Sequence, residues 1–201
     1  MVARRVPATA SALEARAGAQ LLAAMRTLTA TRFCAARRLE RKHALSLFAM
    51  SMVSLYFVGL SVWQAIYAPL LDAATNRLVT LVSILSSVFT LVLALLEAMN
   101  DYKMKAHHMH ACALAVNDLY HELLMQPTAE ASVVQGFRRR YNEAVRGCPI
   151  NHARVDFLLA LAERGAPLSQ KVWAHVRYAC DVYALYALTL GAPPLVLLWF
   201  R

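Results

Sequence analysis

Two uncharged stretches constrain this chain more than anything else in it: Ala44 to Tyr67, 24 residues, and Leu78 to Leu96, 19 residues. A helix needs roughly 20 apolar residues to cross a hydrocarbon layer about 30 Å thick, so both are long enough to span. A buried helix of a soluble protein ordinarily keeps one charged face. ALSLFAMSMVSLYFVGLSVWQAIY has no charge on any face, which makes lipid its better solvent. Between the stretches, APLLDAATNR offers Pro69 to stop one helix and Asp72, Thr75 and Asn76 to cap the next. The pattern predicts a transmembrane helical hairpin.

Basic residues orient it. Nine Lys/Arg precede Ala44, ten lie between Glu97 and Asp181, and the hairpin loop holds only Arg77. Because cytoplasmic flanks carry the excess of Lys and Arg, the N-terminus and the region after Glu97 are expected in the cytosol and the loop outside. RRLERK, directly before Ala44, is the strongest marker. Trp63 and Tyr67 suit the aromatic belt at the outer interface.

Outside lipid, enough of the 201 residues remains for one modest helical domain. A net charge of +9 would suggest nucleic acid in a soluble protein. Here much of it flanks the spans, where topology and anionic headgroups account for it, so no direct nucleic-acid partner is expected. Cys34, Cys112, Cys148 and Cys180 show no C-x-x-C spacing and read as reduced thiols on the cytosolic side. Arg4, Arg5, Arg16 and Arg26 against the single acid Glu14 superficially resemble an organellar transit peptide. Glu14 and Arg16 interrupt any apolar region of a secretory signal. Arg in excess over Lys and abundant Ala hint at a GC-rich bacterial genome.

Residues 8 to 40 are Ala-rich and predict a helix running toward the first span. After the second span no Gly or Pro occurs before Pro127, which predicts one continuous helix to about Met125. Along it Tyr102, Ala106, Met109, Ala113, Val116, Tyr120 and Leu123 alternate at four and three, a packing seam whose partner is either this chain or a second subunit. Further helices are predicted from Ala129 to Arg146, from an Asn151 cap to about Glu163, and from Ser169 onward. Val182 to Phe200 is again uncharged but contains Gly191, Pro193 and Pro194. Both a kinked third span and a re-entrant or surface segment fit it.

No chemistry-bearing motif stands out. Among His107, His108, His110, Cys112 and His121, His107 and His110 can share a helix face, but His108 points away and a fourth ligand would have to come from elsewhere, so the cluster reads as solvated histidines near a headgroup layer. His152 and Asp156, four apart, suit a polar cap and packing network better than an oriented base, since no nucleophile or phosphate loop lies nearby. With no G-x-S-x-G, H-E-x-x-H or Walker pattern, neither enzyme activity nor a cofactor or metal is expected. In the second span Thr80, Ser83, Ser87, Thr90, Ala94 and Glu97 form a small, hydroxylated stripe ending in an acid; Ser51, Ser54, Ser61 and Ala65 do the same in the first. Such faces either pack helices closely in lipid or line water after assembly.

RRLERKHALSLFAMSMVSLY, LLEAMNDY, KMKAHHMHACALAVNDLYHEL and above all YNEAVRGCPINHARVDF, in this order and spacing, resemble the SLATT family of bacterial two-transmembrane effector domains, over roughly residues 35 to 190. The family's name records association with SMODS nucleotidyltransferases and SLOG domains. The resemblance implies a role in prokaryotic conflict systems: a partner generates or senses a signal and the membrane protein disrupts the membrane. By the same resemblance Tyr141, Asn151, His152 and Asp156 match a cytosolic motif, and Tyr102, Ala106 and His110 a juxtamembrane helix; no catalytic role is implied.

The expectation is therefore an all-α membrane protein of the bacterial inner membrane. A cytosolic N-terminal helix (1–43) is followed by the hairpin (44–97), a cytosolic helical domain (98–181) and an apolar C-terminal segment (182–201). Its expected function is that of a homo-oligomeric, pore-forming effector in antiviral abortive infection, acting on membrane lipid. The trigger is expected from an operon-encoded sensor, nucleotidyltransferase or reverse transcriptase. The alternative is a non-conducting anchor or signalling subunit for a partner enzyme. Thr80, Ser83, Ser87, Thr90 and Glu97 are the candidate pore or packing residues.

Overall fold

The computed structural model describes residues 8–126 and 130–199. Among these there is no strand. Six α-helices follow one another: α1 (Ala8–Tyr67), α2 (Ala73–Asn100), α3 (Tyr102–Leu124), α4 (Ala131–Arg146), α5 (Arg154–Glu163) and α6 (Leu168–Trp199), with a 3₁₀ turn at Ala68–Leu70 between the first two. The chain divides into two compact units. Met1–Leu39 with Met104–Val176 make the first, and Glu40–Lys103 with Arg177–Arg201 make the second.

The N-terminal helix and the first apolar stretch are a single element, because no Pro interrupts α1 until Pro69. Pro69 sits in the 3₁₀ turn. Asp72 then caps α2, accepting from the Ala74 and Thr75 N–H groups at 3.1 Å each. These bonds, the Thr75 side chain's first, hold its carboxyl below the usual range. The second apolar helix thus begins at Ala73 rather than at Leu78.

A continuous helix from Leu78 to Met125 does not form. Asp101 adopts φ 44°, ψ 48°, the left-handed conformation, and separates α2 from α3. Gly and Pro are the usual breakers, but Asn and Asp also tolerate this conformation because their short polar side chains bond locally. The break falls at Asn100-Asp101, a dipeptide with that property.

In the first unit α1, α3 and α4 share a core. Leu21 and Met25 meet Cys112, Val116, Leu119 and Leu123 and, from α4, Val134 and Phe137. The α3 seam is therefore packed within this chain. Cys112 and Leu119 join the expected residues on the buried face, while Tyr120 lies at its half-buried edge. Asn151 does not cap α5; the cap position is Ala153, and Asn151 is exposed. Gly165, at φ +96°, closes α5 in a conformation strained for any residue with a Cβ.

In the second unit most large apolar side chains of α1 and α2 point outward, Val53 being an inward exception. Leu55, Val58 and Ile66 on α1 and Leu85, Phe89 and Leu91 on α2 are each 59% or more exposed. Among the described residues two helices are long and apolar enough to cross a membrane, and the most apolar window of the second has no buried residue. A soluble fold would leave that surface in water at about 25 cal/mol per Å². α6 continues as helix through Gly191 and Pro193-Pro194 to Trp199.

Candidate functional site

Two regions hold the polar residues that the sequence singles out, one in each unit. In the first unit Asp156 reaches back from the first turn of α5 to accept from the Ala153 N–H at 2.9 Å. Its two oxygens also receive Arg38 of α1, Nε at 2.7 Å and Nη2 at 3.0 Å. Asp156 is fully buried and Arg38 nearly so. A buried carboxylate is tolerated only when paired and hydrogen-bonded, and here the guanidinium fork and the backbone donor supply both. Asp156 thus ties α5 to α1, close enough to His152 and Cys34 for its charge to act on both.

His152 and Tyr141 lie half-buried near a second buried cation, Arg32, whose guanidinium also reaches the Cys112 thiol. Burial lowers the His152 pKa below its ordinary value, and the charge of Arg32 lowers it further. Burial likewise raises Tyr141 and Cys112, against the opposing pull of Arg32. Burial and Arg32 thus favour the neutral ring of His152, against the opposing pull of Asp156. The sequence marks Arg38 only as part of the basic RRLERK run and Arg32 not at all, and shows the burial of neither.

Of the juxtamembrane residues, Ala106 is buried in α3 and His110 meets Phe33 edge to face at 5.4 Å. Tyr102 opens α3 within the second unit. Among the described residues no group of three His, Cys, Asp or Glu side chains could hold a metal ion.

In the second unit the hydroxyl stripe divides. Gln64 of α1 donates to Asn76 Oδ1 and Thr80 Oγ1, both at 2.8 Å, stitching the hairpin at its loop end. Ser83, Ser87 and Thr90 return their hydroxyls to carbonyls of their own helix, at Val79, Ile84 and Ser86. Thr90 and Glu97 line a small cavity, about 50 Å³, together with Ser46 and Met50 of α1 and Tyr186 and Thr189 of α6. Ser83 is half-buried and Ser87 exposed, so the stripe lies partly on the inner face and partly on the outer one. At the basic end of this unit Lys42 pairs with Asp181 at 2.9 Å, Arg41 stands 5.9 Å over the Tyr178 ring, and the Tyr186 hydroxyl donates to the Lys42 carbonyl at 3.2 Å.

Two long helices with apolar, outward-facing side chains, joined by a capped turn and continuous in sequence with a helical unit, define an α-helical protein of the two-transmembrane class. The chain belongs to SMODS and SLOG-associating 2TM effector domain family 5, whose model matches residues 18–200, nearly the whole chain. No curated protein and no solved structure matches it.

Proposed function

We propose that this protein is a membrane effector of a prokaryotic conflict system, which assembles and permeabilises the inner membrane when a partner signals. The observation that carries the reading is the hairpin: two apolar helices with their large side chains facing outward, in a chain that belongs to a two-transmembrane effector family. In this reading the first unit is cytosolic, as the basic flanks predict, and receives the signal, while the second unit acts in lipid. The family's name, which couples it to SMODS and SLOG, supports a partner encoded nearby.

One observation favours a second reading, a non-conducting anchor. Thr90 and Glu97 turn toward helices of the same unit, as packing residues do. Expression with and without the operon partner separates the two. Loss of membrane potential and arrested growth are expected when both are present. Normal growth and polarised membranes, with the protein inserted, would establish the anchor.

A further inference from the structure

The first unit carries a groove that neither the hairpin nor the buried ion pair uses. It is an open hollow of about 400 Å³ between α1, α3 and the end of α5. Arg26, Arg164 and His121 stand on its walls with Asn117, and two aromatic rings, Phe33 and Tyr120, complete them; no carboxylate lines it. Glu163 and Glu122, the acids nearest in sequence to Arg164 and His121, are engaged by Arg37 at 3.4 Å and Arg140 at 2.7 Å. Asp118, beside Asn117, is exposed and is not a wall residue.

The cations are placed rather than loose. Arg164 donates through Nη1 to Thr27 Oγ1 at 2.8 Å and through Nη2 to the Arg26 carbonyl, which fixes its guanidinium across α1. Arg26 is exposed, with no ion pair to a carboxylate among the described residues. His121 stands edge to face with Tyr120 at 5.3 Å, so an imidazole and a phenol ring share one wall. Thr29, itself a wall residue and more than nine-tenths buried, has a hydroxyl with no hydrogen-bond partner among the described residues.

Two guanidinium groups and an imidazole without a carboxylate select an anion, and guanidinium matches phosphate oxygens in fixed fork geometry. Aromatic rings beside them offer a stacking face, and an amide offers a donor and an acceptor to a base edge. We propose that this groove binds a nucleotide, its phosphates on Arg26, Arg164 and His121 and its base on Tyr120 or Phe33 beside Asn117. The site belongs to the first unit alone and holds whether or not the hairpin conducts.

The test uses the full chain in phosphatidylcholine nanodiscs, which present no net anionic headgroup, titrated calorimetrically with ATP, pyrophosphate and adenosine. Saturable ATP binding is expected, with pyrophosphate and adenosine each at least tenfold weaker because each keeps only half of the contacts. Arg26→Glu, at an exposed position, should weaken ATP at least tenfold while the melting temperature holds. Arg164→Gln should do the same, and Arg164→Lys should restore part of the affinity. No saturable ATP binding up to millimolar concentration would overturn the proposal, as would undiminished binding by folded Arg26→Glu. Pyrophosphate binding as tightly as ATP would overturn the nucleotide assignment and leave a simple anion site. Binding only of an acidic partner protein would likewise count against it.

Discussion

Arg38 on α1 and Asp156 on α5, 118 residues apart in sequence, form a two-pronged ion pair at 2.7 and 3.0 Å with the carboxylate wholly out of solvent. Removing either partner leaves an uncompensated buried charge, so Arg38→Met or Asp156→Leu alone should each cost on the order of 3–5 kcal/mol. Replacing both, as Arg38→Met with Asp156→Leu, should recover most of that loss, because the pair's mutual attraction only offsets its desolvation. Denaturant unfolding of the four proteins in the cycle checks it. Additive losses would mean that the two side chains act independently.

His152 gives the first unit a pH dependence of defined sign. Its folded pKa lies below the ordinary 6.5, chiefly through burial. Between the lowered value and about 6.5 the unfolded chain binds a proton that the folded one does not, so stability falls as pH drops through this window and is fully present above it. His152→Gln should flatten thermal stability between pH 5 and 7 relative to the parent. A slope unchanged by the substitution would assign it to another group.

The hairpin was legible because an uncharged run of spanning length has few other solutions, and the α3 seam because its three-four spacing survives in the buried face of Ala106, Met109, Ala113, Val116 and Leu123. What sequence could not supply was long-range pairing. Arg32 and Arg38 sit in the basic region that orients the chain, so their charge is explained before their burial can be suspected. Only their placement beside Cys112 and Asp156 reveals it. The groove at Arg26 and Arg164 was invisible for the same reason, since its walls come from three separate helices. The break at Asp101 falls at neither a Gly nor a Pro, so the sequence carries no strong breaker signal there.

Topology follows from the proposed orientation. A cysteine placed at Thr75, which is exposed beside the Asp72 cap, should react with an impermeant thiol reagent added to intact cells. Native Cys148 should react only after the membrane is opened. Labelling of Cys148 from outside would invert the orientation.

Ser87 and Thr90 distinguish pore from packing. Ser87 is exposed, so Ser87→Leu should leave assembly intact and abolish ion flux if that face lines water. Thr90 borders the 50 Å³ cavity, and Thr90→Leu should overfill it at about 1–3 kcal/mol, lowering the melting temperature. Flux measured in liposomes alongside oligomer size separates these outcomes. Undiminished flux from folded Ser87→Leu would remove that residue from any conducting surface.

The junction between α2 and α3 can be tested by substitution at one position. An L-residue in the left-handed conformation costs roughly 1–2 kcal/mol, somewhat less for Asp, whereas Gly adopts it freely. If Asp101 holds φ 44° in the membrane-inserted protein, Asp101→Gly should be neutral or stabilise it by up to about 1 kcal/mol. Asp101→Ala should destabilise it by a similar amount, because Ala loses the local side-chain bonding and keeps the Cβ clash. A continuous helix demands the reverse order, since Ala is the strongest helix former and Gly is about 1 kcal/mol worse in a helix interior. Thermal unfolding of the two variants in one detergent therefore decides between them. Ala more stable than Gly would mean that α2 and α3 are a single rod, and Gly more stable that they meet at a built-in break.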